Sequence, residues 1–178
     1  MDKKKGGEVC RLPRPDYCGP CEPQSQISVK MLHFVDIILK EVFDKGRNFT
    51  WPSPPNCPRC QHYKVWGHGF VERFFDCFPS PLQMKRFRCN NCGCVICCRP
   101  ETHFARIQSS SKFIKARLAY RITHGLWPPG MATSRQRHWL KNLKRKTLAH
   151  CGTVAIRDLL MAYDKLLALG HVPVSCSV

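Results

Sequence analysis

A chain of 178 residues makes one or two ordinary domains, and its 29 Lys and Arg against 12 Asp and Glu leave a formal charge of +17. That balance points to a polyanionic partner, for which nucleic acid is the usual candidate. A bilayer-spanning segment is excluded, because the apolar-rich run 29–43 is interrupted by Lys30, His33, Asp36, Lys40 and Glu41, and no apolar stretch follows the basic start to make a secretory signal.

Residues 1–24 are dense in Pro, Gly and charge and are expected to form a disordered tail. Within it, Cys18-Gly19-Pro20-Cys21 spells a thioredoxin-type redox motif, which needs a preceding strand and a following helix to activate its thiol. Arg14-Pro15-Asp16-Tyr17 and Glu22-Pro23 flank it instead. A second metal site on Cys10, Cys18 and Cys21 lacks an evident fourth ligand, so an inert tail is the expectation. Residues 25–50 are expected to hold one N-terminal helix. Val29, Leu32, Val35, Ile38, Leu39 and Val42 follow helical spacing over 28–45, with Ser28 as N-cap and Gly46 as the stop. The prolines between Asn48 and Pro55 forbid helix and lead to the first of two cysteine pairs.

Residues 51–105 are organised by those pairs, Cys57-Pro58-Arg59-Cys60 and Cys89-Asn90-Asn91-Cys92, with 28 residues between them. Each Cys-x-x-Cys turn aims two thiolates at one centre, and a hairpin between the turns returns the second pair to the first. The spacing predicts a structural Zn²⁺ site on Cys57, Cys60, Cys89 and Cys92. In a chain of thirteen cysteines without a signal peptide, metal ligands and reduced thiols are a better reading than disulfides. Between the pairs, strands are predicted over 63–71, 74–78 and 84–88, with a turn at Pro79-Ser80-Pro81. Alternation sets Lys85 apart from Arg86 and Arg88, and basic residues interleaved with aromatic ones suit phosphate contact plus stacking. Aromatics that merely cover a small metal core are the competing reading for Phe87.

Cys57-Pro58-x-Cys60, Trp66-Gly67-His68-Gly69 and Lys85-Arg86-Phe87-Arg88-Cys89-x-x-Cys92-Gly93 together resemble the zinc ribbon at the front of bacterial insertion-sequence transposases and of their stand-alone relatives. The resemblance covers residues 57–93. It implies a helical, helix-turn-helix-type DNA-binding segment after the ribbon. Two departures stand out: Cys94, Cys97 and Cys98 crowd the second pair, leaving open a ligand exchange with Cys94 or Cys97, and no catalytic domain is expected before the sequence stops at Val178. Past the ribbon the only carboxylate side chains are Glu101, Asp158 and Asp164, too few and too scattered for two-metal DNA cleavage, and no other catalytic motif appears. The expectation is a protein that is not an enzyme.

Residues 106–178 are expected to be a basic helical segment; residues 109–178 alone hold 12 basic and 2 acidic side chains. The first helix, 112–124, is capped by Ser111, presents Ile114, Leu118 and Ile122, and ends at Gly125. The second runs from Thr133 or Ser134 to about His150. Gln136, Trp139, Leu140, Leu143 and Thr147 share one side, and Arg137, His138, Lys141, Lys144 and Arg145 the other, flanked by Arg135 and Lys146. The third, capped by Thr153, carries Ile156, Leu159, Leu160, Tyr163, Leu166 and Leu167 up to Gly170.

The expected molecule is thus a small α+β protein: N-terminal helix, zinc ribbon, basic three-helix segment. Its expected work is DNA binding as a transposase-related or transposon-associated factor, with Arg86, Arg88, Arg135, Arg137, His138, Lys141, Lys144 and Arg145 as the nucleic-acid contacts. The rival readings are an RNA-binding or transcription-associated zinc-ribbon protein and a protein-interaction module. A separate transposase or a second copy of the chain are the further partners considered, and the expected compartment is cytoplasmic, on the nucleoid if the source is bacterial.

Overall fold

The structure, a computed structural model, describes residues 31–176. The tail with Cys10, Cys18 and Cys21, and the expected cap Ser28, lie outside the described residues. The rest is a small α+β protein. In chain order it forms β1 (Met31–Val35), α1 (Leu39–Lys45), β2 (Val65–Arg73), β3 (Leu82–Cys89), β4 (Val95–Pro100), α2 (Ser111–His124), α3 (Thr133–Cys151) and α4 (Leu159–Ala168). The strands make one sheet in the order β1-β4-β3-β2, with β1 parallel to β4 and the other pairs antiparallel. Among the described residues no helix is long and apolar enough to cross a membrane.

Several expectations are corrected. The helix over 28–45 is not formed as one piece: Met31–Val35 is a strand, and only Leu39–Lys45 is α-helical, ending as expected at Gly46 with φ 55°. The Met-Leu-His-Phe-Val run satisfies both periods, and pairing with β4 decides for the strand. The strand expected at 74–78 is absent. There β2 has already ended, Phe75 turns into the core at 2 % exposure, and Phe78 lies 5.3 Å from Phe43. The third strand of the antiparallel meander is instead β4, which grows directly out of the second cysteine pair. Ser110, not Ser111, caps α2, and Ile122 of that helix is exposed. Thr153 precedes a 3₁₀ turn, and the cap of α4 is Asp158, whose carboxylate accepts from the Leu160 and Met161 amides.

Neighbouring residues of a strand face opposite sides of a sheet. By register Phe87, Cys89, Ile96 and Cys98 share one face and are buried. The other face carries Leu82, Met84, Arg86 and Arg88 of β3 with Cys97 and Arg99 of β4. At its far end this second face is covered: Leu82 and Met84 are buried, Arg99 lies over the Phe75 ring at 5.7 Å, and its guanidinium donates to the Ile107 carbonyl. At the cysteine end Trp66 and Arg88 are exposed, beside a half-buried Arg86 and a buried Cys97. Each face is therefore packed along only part of its length, and burial in β3 changes phase between Met84 and Phe87.

Two apolar clusters result. One unites β1, α1 and the sheet through Val35, Val42, Phe75, Met84, Phe87 and Ile96; the other unites the helices through Ile114, Leu118, Trp139, Leu143, Tyr163 and Leu166. They meet at Asp76, which accepts from Arg135 (2.9 Å to each oxygen) and from Ser109, while Arg135 also donates to Gln108.

Candidate metal centre and nucleic-acid interface

The two cysteine turns are built alike. In the first, the Gln61 amide donates to the Cys57 carbonyl and the Cys57 amide to the His62 carbonyl, both at 2.8 Å. In the second, Gly93 donates to Cys89 (3.1 Å) and Cys89 to the Cys94 carbonyl (3.0 Å). The residue after each pair, Gln61 at φ 58° and Gly93 at φ 66°, takes the left-handed conformation that closes the turn. Lys64 accepts from the Asn90 amide at 3.2 Å and Val65 pairs with Cys89, so the start of β2 locks the turns together.

The result is one cluster of four sulfurs, Cys57, Cys60, Cys89 and Cys92, all within 4.8 Å of one another. Cys57 to Cys92 and Cys60 to Cys89 are each 3.6 Å. A metal about 2.3 Å from four tetrahedral sulfurs sets them about 3.8 Å apart, so the cluster could hold a metal ion. The electrostatics agree. Burial drives the Cys92 thiol up to about 12, while the backbone N–H of His62 leads the effects that bring Cys60 down to about 6. Sulfurs this close can all be thiolates only around a cation. The cluster of mutually close sulfurs is Cys57, Cys60, Cys89 and Cys92, and the Cys94 thiol lies next to it, against Cys57. Cys94 contributes its carbonyl to the second turn, its Sγ lies 3.9 Å from the Val95 carbonyl, and Cys97 sits in β4 opposite Arg86.

The expected nucleic-acid residues fall into three groups. Arg137, Lys141 and Lys144 stand at i, i+4, i+7 on α3, exposed and without a partner among the described residues. Arg135, His138 and Arg145 of the same helix have intramolecular partners. Arg135 holds Asp76, His138 Nε2 lies 3.1 Å from Cys176 Sγ, and Arg145 donates to the Cys176 carbonyl. Asn142 adds a 3.0 Å bond to the Val174 carbonyl. Residues 172–176 thus run along the stripe His138, Asn142, Arg145, immediately beside the stripe of free cations. The third group, Arg86 and Arg88, lies on the open end of the sheet. The apolar side of α3 is as expected for Gln136, Trp139, Leu143 and Thr147, each at 4 % exposure or less. Lys146 is buried as well, at 3 %, and burial lowers its ammonium pKa.

Two features were missed in the sequence. One is Asp76, an acid in a turn with no local pattern to mark it. The other is the C-terminal strap, whose Val172, Pro173 and Val174 are too short a run to register as an element. No protein-family model, no curated protein and no solved structure matches this chain.

Proposed function

We propose that this protein binds DNA through a basic three-helix segment docked on a zinc ribbon, as a transposase-related or transposon-associated factor. Zn²⁺ is the ion that an all-thiolate, tetrahedral, closed donor set suits best. It fixes the ribbon; it does not take part in a reaction. The observation that carries DNA binding is the stripe Arg137, Lys141, Lys144: three exposed cations on one helical face, in a stretch from 102 to 157 that contains no Asp or Glu. A solvated surface mixes both signs, and this one does not. The resemblance over residues 57–93 supports the transposase relation. The protein acts by binding and not by catalysis, since Asp158 is spent as a helix cap and Asp164 on Lys115 at 2.7 Å.

The test is a fluorescence-anisotropy titration of duplex DNA at several salt concentrations, with zinc content measured on the same sample. Each phosphate neutralised contributes roughly −0.9 to the slope of log K against log salt. Changing Lys141 and Lys144 to Ala together is expected to flatten that slope by about two units on every duplex tested. An unchanged slope assigns the stripe to solvent. Less than half an equivalent of zinc removes the ribbon from the proposal.

A further inference from the structure

The stripe on α3 offers charge alone, whereas the open end of the sheet offers something different. By register Trp66 of β2 is the cross-strand partner of Arg88 on β3, so the two side chains share the uncovered face. Trp66 is 47 % exposed, a large area for an indole with no packing task. His68 stands edge-on to it at 5.4 Å. Between Gly67 and Phe70 the β2–β3 register slips, and Gly69 at φ 74° lets the backbone bulge beside Arg86. A Cβ at Gly69 would lie 3.8 Å from an Arg86 guanidinium nitrogen, so a side chain at the bulge would rest against the cation.

The charge around this ring is of one sign. Residues 57–71 and 84–98, which make the cysteine turns and the adjoining ends of the strands, contain Arg59, Lys64, Lys85, Arg86 and Arg88 and no Asp or Glu; Glu72, at the far end of β2, accepts from Gln83. All the ion pairs among the described residues lie elsewhere, and the Arg86 Nε has no hydrogen-bond acceptor. An aromatic plane flanked by unpaired guanidinium groups matches the two parts of a nucleotide, base and phosphate. In a duplex both faces of every base are covered by its neighbours, so a flat ring on a sheet has nothing to stack on. An unpaired base has a free face for it.

We propose that the open end of this sheet face is a single-stranded DNA site, in which Trp66 stacks on a base and Arg86 and Arg88 hold the adjoining phosphates. It rests on the DNA-binding reading above and adds to it a division of labour: α3 takes duplex, the sheet takes unpaired strand. Such a pair of sites fits a protein that works where duplex and single strand meet, as at an opened or processed DNA end.

The experiment uses the full chain loaded with zinc and three fluorescent probes of equal length: oligothymidylate, a mixed-sequence duplex, and oligouridylate. The variants are Trp66→Ala, Trp66→Phe and the double change Lys141→Ala with Lys144→Ala, each checked for zinc content and far-UV circular dichroism. Trp66→Ala is expected to weaken oligothymidylate binding by about 10-fold to 100-fold and duplex binding by less than about 3-fold, with Trp66→Phe retaining most of the affinity. The double lysine change is expected to do the reverse. Unchanged oligothymidylate affinity in Trp66→Ala overturns the site, and so does equal loss on both DNA probes. Tighter binding of oligouridylate than of oligothymidylate reassigns the face to RNA and overturns it as DNA-specific. A parent protein that binds duplex but no single strand leaves α3 as the DNA site and the Trp66 face for a protein partner, which also overturns it. A parent that binds none of the probes rejects the DNA reading itself.

Discussion

The sheet half and the helical half of this molecule are held together by different means. In the helical half Ile114, Leu118, Leu143, Tyr163 and Leu166 are all fully buried, and one buried ring hydroxyl, that of Tyr163, is satisfied by Ser111. In the sheet half four of the core members are cysteines, Cys57, Cys89, Cys94 and Cys98. A core that spends its interior positions on thiols buries less apolar area per residue than one built from Leu and Ile. The difference separates a helical half held by side-chain packing from a sheet half built around a four-cysteine cluster that could hold a metal ion.

The largest effect should come from breaking ligation. Cys57→Ser, or removal of the metal with a strong chelator, is expected to melt the sheet half and leave the helices standing, because structural zinc contributes on the order of 10–16 kcal/mol in small zinc domains. Amide spectra should lose dispersion for β2, β3 and β4 while α2–α4 keep theirs; Cys77→Ser, at an exposed thiol outside the cluster, should change neither. Simultaneous collapse of both halves would mean that the junction, not the metal, sets the unit of stability.

A smaller effect sharpens the comparison at that junction. His103 is 3 % exposed, its ring edge-on to Phe75 at 4.9 Å, and burial, aided by Arg99 and opposed by Asp76, takes its pKa from 6.5 down to about 4. The folded protein therefore refuses a proton that the unfolded chain accepts. Its contribution is complete above pH 6.5 and is lost as the pH falls toward 4, by up to about 3 kcal/mol. His103→Phe should flatten this part of the pH profile, read as the difference between parent and variant in urea melts at pH 7 and pH 4.5. An identical slope in the variant would place the acid sensitivity elsewhere, as in the cysteine cluster or in His33 and His171, whose burial also lowers their pKa.

The smallest effect compares the two cysteine turns with each other. They share the two backbone hydrogen bonds that close them, yet the left-handed position is Gly93 in one and Gln61 in the other. Gly93→Ala is expected to cost about 1–2 kcal/mol and Gln61→Gly to gain up to about 1 kcal/mol, since a Cβ is disfavoured at that φ. Thermal melts of the zinc-loaded proteins measure both. Equal and negligible shifts would show that ligation overrides backbone preference in both turns.

Much of this was legible in one dimension. Cys-x-x-Cys spacing is local chemistry, so the four sulfurs could be paired without a fold. The α3 stripe followed from 100° per residue, and so did the burial of Trp139, Leu143 and Thr147. Where the sequence misled, the deciding partner was distant. Met31–Val35 is a strand because Ile96–Pro100 lies beside it, some 65 residues on, and a parallel pair leaves no hairpin turn to announce it. β4 was hidden by its cysteines: Cys97 stood as an alternative ligand, whereas Cys97 and Cys98 are buried strand residues.

The sequence by itself determined which four cysteines cluster, the class of fold and the sign of the surface, because each depends on residue type and short-range spacing. Tertiary structure alone decided which charges are free. Arg135, His138 and Arg145 look no different from Arg137, Lys141 and Lys144 on a helical wheel. Only the arrival of Asp76 at one end of α3 and of Val174 and Cys176 along its flank separates those already engaged from those left exposed without an intramolecular partner among the described residues. The same holds for Trp66: a strand position can be read from periodicity, but which of two half-covered faces stays open depends on where Phe75 and the segment around Ile107 come to rest.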